Sequence, residues 1–114
     1  MKQVTDDRIL SLMIEKTERL MAILQGHSRK EIESNFILSD AVQFEFEKLY
    51  EDSTKLSHEL RISYQELHLD DLRSIRNRVA HDYEKVSLKI LLDTIENDIP
   101  LLKKTLGKIL SSNK

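Results

Sequence analysis

Between Val42 and Leu60 the residues Val42, Phe46, Leu49, Ser53, Leu56 and Leu60 recur at alternating intervals of four and three. That interval keeps side chains on one face of an α-helix and makes a seam suited to antiparallel packing against another helix. A half-buried strand would need alternation by two instead. The rest of the chain agrees: 114 residues contain two glycines and one proline, too little punctuation for a sheet with its turns. The expected class is all-α, an antiparallel bundle of four main helices plus one short helix, in a single domain over residues 1–114.

The elements can be placed in order. Thr5, Asp6 and Asp7 offer a cap and first-turn acids for a first helix with Ile9, Leu10, Met13, Leu20, Met21 and Leu24 on one stripe. Gly26 stands where a C′ glycine would end it. Ser28 and Glu31 have capping-box spacing and open a short helix stopping near Ser34 and Asn35. Ser39 and Asp40 are the expected caps of the third helix, and Ser53 in its seam reads as a small residue that permits close approach. Residues 61–69, with Tyr64 and His68, read as a connector. Asp70 and Asp71 start a fourth helix with Leu72, Ile75 and Val79 facing inward. Ser87 is the expected cap of the last helix, which buries Leu91, Ile95, Leu102, Leu106 and Ile109. Pro100 inside it removes one backbone hydrogen bond and should kink it. Asp98, at the edge of its apolar stripe, is expected to pair with an arginine of the fourth helix.

Charge narrows the function classes. The formal charge of −2 argues against a broadly basic nucleic-acid binder. From Glu31 to Glu59 there are eight acids against Lys48 and Lys55, whereas Arg73 to His81 holds three arginines and no acid. With no cysteine, disulfides and thiolate metal sites are excluded, and His27, His58 and His68 lack metal-ligand spacing. No metal and no cofactor is expected. No apolar run approaches the roughly 18 residues a membrane span needs, and the polar start is unlike a signal peptide, so a cytoplasmic protein without membrane contact is expected.

The chemistry concentrates in residues 73–83. A histidine near neutral pKa can take or give a proton, and a guanidinium can grip a phosphate and neutralise developing charge. Arg76 and His81 together suffice in principle for metal-independent RNA cleavage, in which the 2′-hydroxyl is the nucleophile and a 2′,3′-cyclic phosphate the product. Asn77 can add a hydrogen bond to a phosphate oxygen, and Arg73 and Arg78 extend the basic patch. Tyr83 can stack on a base, donate a hydrogen bond or present a hydroxyl for modification. At about 100° per residue, Arg76 and His81 lie about 140° apart around a regular helix. Either the helix unwinds near His81, or a second copy of the chain completes the pair.

The octapeptide Arg76-Asn-Arg-Val-Ala-His81-Asp-Tyr83 resembles the R-x4-H-x-Y signature of the HEPN superfamily, specifically of HepT-like toxins. Residues 64–75 resemble the run Y-P-E-I-P-W-x-x-I-x-G-x that leads into the family's arginine. Residues 93–102 resemble its final helix, internal proline included. Ser39 to Val42 and Glu51 to Ser57 resemble its second long helix. The family's prolines are replaced here by Gln65 and His68, its tryptophan by Leu69, the glycine before the motif by Ser74 and another glycine by Tyr50. The resemblance implies a homodimeric ribonuclease toxin with Arg76 and His81 lining the dimer cleft. It also implies an antitoxin, a small nucleotidyltransferase of the MntA type, that silences the toxin by AMPylating Tyr83. An added phosphodiester there would put negative charge where the RNA phosphate must sit.

A different class of function is compatible with the same residues: a non-catalytic helical module that binds nucleotide or substrate for a separate minimal nucleotidyltransferase. That reading requires a stable complex without cleavage, and binding indifferent to Arg76→Ala.

Overall fold

In the computed structural model, which describes residues 5–81 and 85–112 without the side chains at 80, 81, 85 and 86, seven α-helices follow one another. They are α1 (Asp6–Gly26), α2 (Arg29–Ser34), α3 (Phe36–Thr54), α4 (His58–Ser63), α5 (Leu69–His81), α6 (Lys85–Asn97) and α7 (Ile99–Ser112), with a single 3-10 turn at Gln65–Leu67 before α5. No strand occurs among the described residues. The all-α expectation holds.

Helix α1 lies at the centre, packed chiefly on α3 and α7, while α5 packs on α3 and α6. Its Ile9, Leu10, Met13 and Leu20 are buried, as are Val42, Phe46 and Leu49 of α3 and Leu91, Leu92, Ile95, Ile99, Leu106 and Ile109 of α6 and α7. Every position of the four-and-three seam is buried, Ser53 included, its hydroxyl donating to the Tyr50 carbonyl at 2.5 Å. The seam nevertheless spans two helices, because the chain breaks after Thr54 and α4 carries Leu60. A partly buried Lys16–Asp52 pair at 3.6 Å ties α1 to α3.

The helix ends show what patterning alone can miss. Thr5 caps α1 by accepting from the Arg8 amide, and Ser28 and Glu31 form the full capping box of α2. Gly26 is the last residue of α1 rather than a left-handed C′, and His27 ends the helix in extended backbone. Asn35, not Ser39 or Asp40, caps α3 by accepting from the Ile37 amide, so α3 begins one turn early and exposes Phe36 and Ile37. The side chain of Asn35 reaches the free first-turn amide before either later candidate can. Ser87 lies inside α6 and is buried, because that helix already starts at Lys85. At Pro100 the last helix is divided: α6 stops at Asn97, Asp98 bridges, and the proline falls in the first turn of α7, where its missing N–H is least needed. The interruption falls where the sequence places the kink. The acidic edge of α6 pairs with Arg29 of α2 through Asp93 and Glu96, in place of the pairing expected at Asp98 with α5.

Short α4 is anchored from a distance. The Asp6 carboxylate of α1 accepts from the Ser57 amide at 2.9 Å and from its hydroxyl at 2.5 Å, while Ser57 itself caps α4. Asp6→Ala is expected to lower stability by about 2 kcal/mol, since hydrogen bonds to a charged group are each worth about 1.5–3 kcal/mol. Thermal unfolding reads this as a midpoint drop of about 8 °C; an unchanged midpoint would mean that the anchor contributes nothing.

Candidate functional site

The connector before α5 sets where that helix starts. His68 takes the left-handed backbone conformation, φ 51° and ψ 46°, and its carbonyl accepts from the Asp71 and Leu72 amides to open α5. A proline, confined near φ −65°, could not take this conformation, so the chain's departure at His68 goes with its own connector shape. Leu72 is then buried, and Ile75 and Val79 pack against the core from a partly exposed stripe. That docking turns the Arg76 side of α5 toward the neighbouring α3.

Arg76 is held by two residues of α3. Its Nε donates to both Glu47 carboxylate oxygens at 3.2 and 3.1 Å, and its Nη2 donates to Oε1 at 3.1 Å. Its guanidinium carbon sits 4.9 Å from the centre of the Tyr50 ring, within cation–π range. The hydrogen bond to Glu47, followed by that residue's charge, raises the Arg76 pKa further above its ordinary value, and Tyr50 and Glu51 add smaller contributions, so the group stays cationic. Nη1 donates to the Asn77 side-chain oxygen at 3.1 Å. Because arginine only donates, Asn77 must present its oxygen here, which leaves the exposed amide NH2 as a donor.

The other basic residues are arranged more loosely. Arg73 is exposed and lies 3.4 Å from Asp70 one turn earlier. Arg78 is exposed and forms no ion pair with a described residue. A pocket of about 140 Å³ opens beside this cluster, lined among others by Tyr50, Thr54, Asp70 and Arg73. With 35% of the Arg76 side chain accessible, an anion can reach it from solvent.

Helix α5 remains regular through His81. Arg76 and His81 are therefore five residues apart on an unbroken helix, with their backbone positions about 140° apart around its axis and about 7.5 Å apart along it. Local unwinding between them is ruled out as the device that unites them. The side chain of His81 lies outside the described part of the structure, as does all of Tyr83. No group of three or more His, Cys, Asp or Glu able to hold a metal ion occurs among the described residues.

Glu47 and Tyr50 escape a reading of sequence alone. The only available signal is geometric: both stand on the margin of the α3 seam, three residues apart and beside Phe46 and Leu49, where a helix rich in arginine can meet them.

The family model described as ribonuclease HepT-like matches residues 13–109. The chain belongs to this family. Among curated proteins, one similar in sequence is named "Putative RNase" and comes from Caldanaerobacter subterraneus subsp. tengcongensis, 25% identical over 105 residues that cover 92% of this chain and 94% of the other. No solved structure matches. Family membership places the HepT-like chain among ribonucleases, and the Arg76 region falls well within the matched span. No helix among the described residues is long and apolar enough to cross a membrane.

Proposed function

We propose that this HepT-like chain is a metal-independent endoribonuclease that works as a homodimer, with Arg76 and His81 as its catalytic residues. The observation that carries the reading is the presentation of Arg76: a charged, partly accessible guanidinium on α5, steadied from α3, beside the exposed donors of Asn77, Arg73 and Arg78. In the proposed reaction His81 takes the proton from a ribose 2′-hydroxyl, and the 2′-oxygen attacks the adjacent phosphorus. Arg76 stabilises the charge on the non-bridging oxygens. The bond from phosphorus to the 5′-oxygen breaks, the 5′-oxygen takes up a proton, and a 2′,3′-cyclic phosphate remains. Asn77, Arg73 and Arg78 bind the RNA backbone.

A regular α5 supports the dimer. With the two backbone positions about 140° apart around one helix, a site formed by Arg76 of one copy and His81 of the other avoids distorting either chain. The cell then needs a means of restraint, and the proposed one is an MntA-like nucleotidyltransferase antitoxin that AMPylates Tyr83, two residues beyond His81. The work of the chain is that of a toxin acting on RNA in the cytoplasm.

Mixing two inactive variants tests the shared site. Arg76→Ala and His81→Ala proteins are each expected to cleave a labelled, mixed-sequence single-stranded RNA about a thousandfold more slowly than wild type. After unfolding and refolding together, about half the dimers are mixed, and each mixed dimer regains one intact site of two. Cleavage should return to roughly a quarter of the wild-type rate. No recovery, with mixed dimers shown to form, would place both groups in one subunit.

A further inference from the structure

We propose that Glu47 is a positioning residue for RNA cleavage, acting through Arg76. This inference rests on the ribonuclease reading above and assigns a role to a residue that the arginine–histidine motif does not contain.

Counting donors makes the case. A guanidinium carries five N–H groups. Glu47 engages the one on Nε and one on Nη2, and Asn77 engages one on Nη1. Two remain without a described partner, one on each terminal nitrogen, and these are what a phosphate can use. The carboxylate thus takes the side of the group nearest the helix backbone and leaves its outer end for ligand. The Tyr50 ring, with the guanidinium carbon 4.9 Å from its centre, adds a second contact from α3 that restrains the end of the side chain. A free arginine side chain samples many rotamers, and ordering it only when substrate arrives would cost entropy at that moment. Here two residues of a neighbouring helix supply that order beforehand.

The arrangement has a second consequence. The Glu47 charge offsets part of the positive charge that would attract any polyanion. Removing it should leave RNA binding intact or tighter while making the reaction slower. That pairing of effects separates positioning from damage, because a partly unfolded enzyme loses rate without gaining affinity.

The experiment uses the full chain and a labelled, mixed-sequence single-stranded RNA. Glu47→Gln preserves shape and removes charge at a side chain that is 38% exposed, so the thermal midpoint should stay within about 3 °C of wild type. The kcat is expected to fall about tenfold with KM unchanged or lower; Glu47→Ala should lower kcat about a hundredfold, comparable to a misplaced catalytic group. In an Arg76→Ala background, Glu47→Gln should change nothing further, since its effect passes through the arginine. Wild-type kcat in Glu47→Gln, a rise in kcat, or a loss that adds fully to that of Arg76→Ala would overturn the role while leaving the ribonuclease site standing. Full cleavage by Arg76→Ala itself would overturn both together.

Discussion

His81→Ala is expected to reduce cleavage of single-stranded RNA by about a thousandfold while leaving the helical signal and thermal midpoint close to wild type. The size follows from what one general acid–base group supplies, roughly 10²–10⁴ in rate. An alanine at the last position of α5 keeps good helix propensity. The pH profile adds a sharper readout. A histidine that accepts a proton must be neutral, so wild-type cleavage should rise with pH as the imidazole loses its proton, and the residual activity of His81→Ala should lack that step. Products ending in 2′,3′-cyclic phosphate would identify the 2′-hydroxyl as the nucleophile. Cleavage at the wild-type rate by the alanine variant would remove His81 from the chemistry and favour the binding-module reading of the same helix.

How much of this was legible beforehand differs between fold and site. The four-and-three seam from α3 into α4 predicts buried positions correctly, and the stripe of α1 does so at Ile9, Leu10, Met13 and Leu20 with Met21 and Leu24 only partly buried, because burial of many apolar groups is a summed effect that no single neighbour overrides. Capping is different. Asn35, Ser39, Asp40 and Ser87 all carry side chains able to cap, and the choice among them depends on where each helix begins: α2 delivers Asn35 to the start of α3, and α6 is already under way at Lys85 before Ser87. Residues 73–81 could be singled out from charge alone, since three arginines without an acid are hard to place in a core. What holds Arg76 could not. Glu47 lies 29 positions away on another helix and is one of eight acids between Glu31 and Glu59, so only the packing of α3 on α5 distinguishes it. Tyr50 carries the same lesson: a tyrosine standing where the family has glycine reads as a packing change, yet its ring forms one wall around the guanidinium.

Phe46→Ala is expected to destabilise the fold by about 3–5 kcal/mol, the range for removing a buried aromatic ring and leaving a cavity. For a chain of this length, total stability is on the order of 6–17 kcal/mol, so a large share would be lost. The ring is 2% exposed in the α3 seam, one residue before Glu47. Phe44 provides the comparison. It stands two residues away, about 200° around the same helix, is 59% exposed, and has Lys48 Nζ 5.5 Å from its ring centre. Phe44→Ala should shift stability by no more than about 0.5–1 kcal/mol, since it gives up only a surface cation–π contact and little buried area. Urea unfolding of the two variants at equal protein concentration measures the contrast directly, with unchanged slope and a lower midpoint for Phe46→Ala. Equal effects at the two positions would mean that a partner covers the outer face of α3 in solution, or that the inner face packs less tightly than the buried seam requires. The Phe46 variant also bears on the site: a loosened α3 carries Glu47 and Tyr50 with it, so cleavage should fall at temperatures where the helical signal is still intact.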